Sequence, residues 1–187
     1  ILDEFRPLLT RADIEKTGHN LKFDLCVLLA HGLEVSGPFF DSMLAHSLVD
    51  PDQRHGMDFL SQSLLGYAPV SIAALIGEKK GAAPQRSMAE VPVEQVAEYA
   101  AEDADVTWQL VERLRPRLEE LHQHRVFYDI EAPLLPVLAD MEHEGVKIDV
   151  AALHEFGLDL EKSAGVLAER IQGYTDWPFN LNSPKQL

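Results

Sequence analysis

The sequence predicts an α/β fold richer in helix than in strand. Two observations carry that expectation. Twice a short extended run passes straight into an apolar helix: 14–20 leads into Leu21–His31, and Phe39–Phe40 leads into a helix reaching Leu48. Then Val93–Leu121 repeats Val96, Tyr99, Ala100, Asp103, Val106, Thr107, Leu110 and Leu114 at spacings of three and four, the signature of one helix face.

The remaining elements follow in order. Leu2–Leu9 is a short helix, with Pro7 tolerable only near a first turn. Nothing ahead of Leu2 supplies a strand for it to pack on, so the chain is expected to begin inside a fold. Gly18 closes the first strand. Phe23, Val27 and Ala30 or Leu28 are the expected inner side of the next helix, which Gly32 ends. Asp50-Pro51-Asp52 is a turn. His55–Leu65 is amphipathic, with Met57, Leu60, Leu64 and Leu65 inward, and Ser71–Ile76 is a short helix. The loop Gly77–Ser87 holds Lys79, Lys80, Pro84, Gln85 and Arg86 and is the best basic patch on the chain: either an ordinary connector or a contact to a nucleic-acid backbone. Phe127–Glu144 is a helix with Ile130, Leu134, Val137, Leu138 and Met141 as its expected inner stripe. Asp149 caps a last long helix from Val150, with Leu153, Phe156, Leu160, Ala164 and Leu167 on one side. Ser183-Pro184 reads as a fresh helix start.

Composition narrows the function. The 187 residues suffice for one domain and the start of another, and 46% hydrophobic content allows a sizeable core. A net charge of −15 argues against nonspecific attraction to phosphates. The single cysteine, Cys26, excludes an intrachain disulfide framework and fits a reducing compartment. No apolar run approaches membrane-spanning length. The eight histidines show no metal-ligand spacing.

Asp103 is the odd member of its helix face. A carboxylate on an apolar stripe is rarely buried unless paired or bound to metal. Tyr99 stands one turn earlier on the same face. The pair can be a site; equally, Tyr99 can be a core aromatic and Asp103 an edge residue. Glu90, Glu94, Glu98 and Glu102 form an acidic ridge best explained as a solvated face. Asp24 falls in the first turn of its helix, where it either complements the helix dipole or reaches a metal from the carboxyl end of a strand. Asn20 is either a helix cap or a site residue.

Three stretches in this order resemble successive motifs of a known family: Asn20-Leu21-Lys22-Phe23-Asp24, Phe40-Asp41-Ser42-Met43-Leu44, and Tyr99 through Thr107. They look like the 3′–5′ proofreading exonuclease domain of the bacterial family A DNA polymerases, a ribonuclease-H-like four-carboxylate nuclease with a tyrosine in its last motif. Met141–Asp149 resembles the lead-in to the polymerase domain, and Phe179–Leu187 the base of its thumb. The resemblance implies an exonuclease domain over 1–124 with an incomplete sheet, followed over 125–187 by the helical start of a polymerase domain.

Residue by residue, it implies that Asp24 and Asp103 are two of the four metal-binding carboxylates and that Tyr99 orients the attacking water. Asn20 supports the site and contacts the substrate strand, and His55 nears the substrate. The implied cofactors are two Mg²⁺ or Mn²⁺ ions, since phosphodiester hydrolysis needs an activated water and charge neutralisation. The implied partners are a single-stranded DNA 3′ end and deoxynucleotides, met by a monomer within a larger polymerase in the bacterial cytoplasm, at the nucleoid. Without its metals such a site should hold raised carboxyl pKa values.

The family's first motif, Asp-x-Glu on the opening strand, is missing from this sequence, as are the palm and fingers of the polymerase. The expectation is a piece of a larger polymerase with little nuclease activity alone. Two other readings stay open: a non-catalytic remnant supporting a polymerase, and a ribonuclease-D-like exoribonuclease.

Overall fold

A computed structural model describes residues 2–78, 81 and 85–186 of the chain. The chain divides into two compact units, Ile1–Gly145 and Val146–Leu187.

In the first unit, α1 (Leu2–Leu9) precedes strand β1 (Lys16–Gly18), which runs into α2 (Leu21–Ala30). Strand β2 (Phe39–Asp41) then runs into α3 (Ser42–Val49). The strands pair in parallel, with Lys16 opposite Phe39, Thr17 opposite Phe40 and Gly18 opposite Asp41. Both strand-to-helix junctions therefore lie side by side at one end of the sheet. Next come α4 (Met57–Leu60), a wide π-turn over Ser61–Leu65, and α5 (Ile72–Ile76). The long α6 (Val93–Glu120) follows, then α7 (His124–Val126), a second π-turn over Phe127–Glu131, and α8 (Ala132–Glu144).

The core is built where α6 crosses the sheet. Val106, Leu110, Val111, Leu114 and Leu118 are buried against Phe40, Ala45, Leu60 and Phe127. Burial on α6 starts only at Val106; Tyr99 and Asp103 are half-buried at its margin. Phe40 is the hub. Its ring meets Phe127 at 4.9 Å, and the Arg115 guanidinium lies 4.3 Å above it. Arg115 is held there by Glu15, with Nη2 to Oε1 at 2.5 Å. Phe40→Ala should lower stability by roughly 3–5 kcal/mol, because a fully buried ring leaves a cavity and strands a stacked cation. Urea denaturation checks this; a loss under about 1 kcal/mol contradicts it.

Lys16 fixes the loops beneath the strands. Its ammonium donates to the carbonyls of Arg11, Ser36 and Ile14, the last at 2.8 Å. Gly37 passes this cage at φ 114°, where a Cβ would sit 2.6 Å from the Ile14 oxygen, so only glycine fits.

Several expectations are corrected. On α2 the buried residues are Leu21 and Leu25, whereas Phe23 and Val27 face solvent. The helix is apolar almost all round, so spacing alone had little contrast to choose a face. On α8 the buried residues are Ala132, Leu135 and Ala139; Ile130, Leu134, Val137 and Met141 are exposed. The π-turn before α8 takes an extra residue per turn and shifts the face that follows. The compact units part at Gly145, since α8 closes on α2 through Leu135 and Ala139 against Leu21, Leu25 and Phe39.

The second unit contains α9 (Val150–Gln172), capped by Asp149, whose side chain accepts from the Ala152 N–H at 3.0 Å. Its apolar side is exposed: among the described residues α9 buries none. At the expected helix start, Gln186 N–H reaches the Ser183 carbonyl at 2.9 Å, closing one turn. Leu187 lies outside the described residues.

Candidate active site

The two strand-to-helix junctions are tied by one buried side chain. Asp41, 3% exposed, ends β2 and caps α3 by accepting the N–H groups of Met43 (2.8 Å) and Leu44 (3.3 Å). It also accepts those of Asn20 (3.1 Å) and Leu21 (2.7 Å) at the start of α2. Asn20 sits in the left-handed region, φ 61°, with no cap bond from its own side chain. The capping expected of Asn20 is thus performed from the neighbouring strand, and the Asn20 side chain remains exposed.

Asp24 lies one turn into α2, on the helix that Asp41 anchors. It shares an open cleft of about 480 Å³ with Asp103 of α6; Thr17, Gly18, Met57 and Trp108 also line it. Desolvation by the surrounding protein pushes the Asp24 carboxyl up, and the charge of Asp41 adds to this. Asp103 is likewise pushed up, first by burial and then by Glu102 and Asp58, while the Tyr99 hydroxyl opposes the rise. The Tyr99 phenol, which does not itself line this cleft, is raised to about 12 by burial and then by the neighbouring Asp103 carboxylate. It therefore stays protonated at neutral pH and available as a donor. Two carboxylates thus line one concavity, and burial and like charges, rather than a paired cation, dominate what the described residues do to them. Lys16, also on its lining, is turned to the carbonyls of Arg11, Ile14 and Ser36.

The other singled-out residues stand apart. His55 is not on the cleft; its Nδ1 lies 2.8 Å from Nδ1 of the buried His46. Burial, then the neighbouring His55, pushes His46 down. Lys22, beside Asp24, pairs with Glu142 on α8. Of the expected basic loop, Lys79, Lys80 and Pro84 lie outside the described residues. Arg86 donates to the Glu90 carbonyl, and Gln85 to that of Gly77 at 2.7 Å.

Sequence reasoning missed three contributors. Asp41 gave only a junction signal, and nothing local reveals that it serves two helices. Asp58, on α4, acts electrostatically on both Tyr99 and Asp103. Glu102 is not simply part of a solvated ridge: it accepts from the Tyr67 hydroxyl and from the Val70 N–H at 2.8 Å. Among the described residues no three His, Cys, Asp or Glu side chains converge as a metal cluster, so two carboxylates are what this cleft offers a cation. Mg²⁺ takes oxygen donors, keeps several waters and is often bound through one or two carboxylates plus substrate phosphate, which this donor set fits.

Comparison with known proteins supplies the context. Residues 1–119 match the sequence profile of a 3′–5′ exonuclease family. The whole chain is similar to DNA polymerase I of Chloroflexus aurantiacus (40% identical, 20% of that protein), of Rhizobium leguminosarum (36%, 18%) and of Pseudomonas aeruginosa (35%, 21%). The chain thus spans about a fifth of the length of these relatives. Its fold is similar to the polymerase domain of Pol1 from M. smegmatis solved with DNA primer-template and dNTP. There the TM-score is 0.73 at 21% identity, over 99% of this chain and 28% of that one. It is also similar to Brucella melitensis NrnC with bound Mg²⁺, at a TM-score of 0.57 and 26% identity, over 76% of this chain and 65% of that one. The parallel pair of strands with its helical surround is accordingly a ribonuclease-H-like α/β exonuclease fold, and the chain belongs to the 3′–5′ exonuclease family of the family A DNA polymerases.

Proposed function

We propose that this chain is the proofreading 3′–5′ exonuclease portion of a DNA polymerase I, continuing over 125–187 into the start of the polymerase domain. Such a protein acts as a monomer at the bacterial nucleoid. It removes mispaired nucleotides from a single-stranded DNA 3′ end and adds deoxynucleotides elsewhere in the molecule. The observation that carries this reading is the shared cleft of Asp24 and Asp103. Asp24 and Asp103 would hold Mg²⁺ or Mn²⁺, which when bound neutralises phosphate charge and lowers the pKa of an attacking water. Tyr99, protonated at neutral pH and one turn from Asp103 on α6, would orient that water. Asn20, with its side chain free of capping, reaches toward the substrate strand.

A second reading, an exoribonuclease, draws on the likeness to NrnC, one structure of which is described as bound to pGG. Similarity to DNA polymerase I runs through residues past Gly145, and this supports the DNA reading. The test supplies Mg²⁺ or Mn²⁺ and matched single-stranded DNA and RNA 3′ ends to the full-length polymerase carrying this segment. The expected result is DNA cut at least about tenfold faster, a difference of ~1.4 kcal/mol. Faster RNA cutting would favour the second reading, and no metal-dependent cutting of either would overturn both.

A further inference from the structure

His46, on α3, and His55, in the segment that follows that helix, meet ring to ring. Their Nδ1 atoms lie 2.8 Å apart, and the rings stand edge to face with 5.0 Å between centroids. His46 is 3% exposed. Every residue of the segment 50–56 is exposed except His55, which is half-buried. The segment's backbone bonds are short-range: Asp50 N–H to the His46 carbonyl at 2.8 Å and Gln53 N–H to the Asp50 carbonyl at 3.3 Å. His55 is therefore its anchor, through its ring on His46 and through its backbone, which acts on the His19 ring beyond β1. The segment leads straight into α4, whose first residue, Met57, lines the Asp24–Asp103 cleft.

Two facing Nδ1 atoms can share only one proton. In the neutral pair one ring donates its Nδ1–H and the other accepts with its Nδ1 lone pair. A first extra proton can settle on Nε2 of the donor ring and leave the bond intact. A second has to take the accepting lone pair, and two N–H groups then point at each other inside the protein. The surroundings do not remove this conflict. Burial pushes His46 down, His55 pushes it further, and Asp50 at the end of α3 opposes them only in part. Glu112, Arg113, Arg117 and Glu120 of α6 share a concavity with His46, and Arg117 is paired with Glu120 at 3.3 Å, so these charges largely cancel. His19, bonded through Nδ1 to the Ser42 hydroxyl at 2.9 Å, is itself pushed down by burial and takes a proton late as pH falls.

We propose that the His46–His55 pair is an acid-released latch: it holds the segment 50–56 against α3 while the rings share one Nδ1 proton, and lets it go when both rings are fully charged. The inference does not depend on the exonuclease reading above. Once released, both rings take protons in the ordinary imidazole range, whereas in the latched form His46 resists. The open form binds more protons as pH drops into that range, so the latch is whole above it and weakens as pH falls through it.

The test is hydrogen exchange over 50–60 in the full-length polymerase carrying this segment, at pH 8 and pH 5, with rates corrected for the intrinsic effect of pH. Protection should fall on the order of tenfold, the change that one proton per opening brings for each pH unit, while the core stretch 110–118 of α6 keeps its protection. His46→Asn removes the buried titrating ring and leaves an amide able to face either form of His55, so most of that fall should disappear. If His46→Asn loosens the segment already at pH 8, His55→Asn, at the less buried ring, is read instead, and its fall should be smaller than the parent's. Undiminished protection of the parent segment at pH 5, an equal loss over 110–118, or a fall of parental size in the variants would overturn the proposal.

Discussion

Asp103→Ala should cut the exonuclease rate of the full-length polymerase by about 10²- to 10³-fold. Cation stabilisation of a transferring phosphate is worth several kcal/mol, and each ~1.4 kcal/mol is a factor of ten. The same position makes a separate prediction about stability in metal-free buffer. The folded-state carboxyl of Asp103 is raised above its ordinary value by burial and by the charges of Glu102 and Asp58. A raised carboxyl favours the protonated folded form at low pH. That contribution is lost as pH rises through the folded value, so the ionised group weighs against folding at neutral pH. Asp103→Asn should therefore raise the melting temperature of this chain at pH 7, and the gap should close as pH falls below the usual carboxylate range. Mg²⁺ should stabilise the unsubstituted chain and do so less for the variant. Melting curves across pH, with and without Mg²⁺, check all three points; a variant less stable than the parent at pH 7 would contradict the electrostatic account.

Asp41→Ala should cost roughly 2–4 kcal/mol, since it removes caps from two helices worth ~1 kcal/mol or more each and leaves buried N–H groups unpaired. Asp41→Asn, which keeps an acceptor oxygen and the shape, should cost less. Urea unfolding measures both. Because Asp41 also starts α2, the alanine variant should loosen the placement of Asp24, seen as faster amide exchange over Leu21–Leu25. A loss below ~1 kcal/mol would mean that water replaces the lost carboxylate without penalty.

How much of this was legible in the sequence depended on contrast. Tyr99 and Asp103 could be singled out because two polar residues interrupt a strongly periodic face, and the structure puts both at the edge of the buried stripe of α6. Asp24 was readable as a first-turn acid, and the strand-into-helix junctions were readable from turn residues and apolar runs. The inward faces of α2 and α8 were not. One helix is apolar on nearly every side, and the other is preceded by a π-turn that no propensity announces. Asp41 and Glu102 were hidden for another reason. Each acts on partners 20 or more residues away, and a sequence pattern carries no sign of such long-range hydrogen bonds.

The seam between α2 and α8 bears on how such a protein can be inherited in pieces. Similarity to the nuclease profile stops at residue 119, yet Leu135 and Ala139 lie beyond it and still cover Leu21, Leu25 and Phe39. A gene rearrangement that grafted only the profile-matching segment onto another enzyme would carry off an oily stripe with nothing to shield it. A segment that keeps this stripe covered has to include α8, which runs to Glu144.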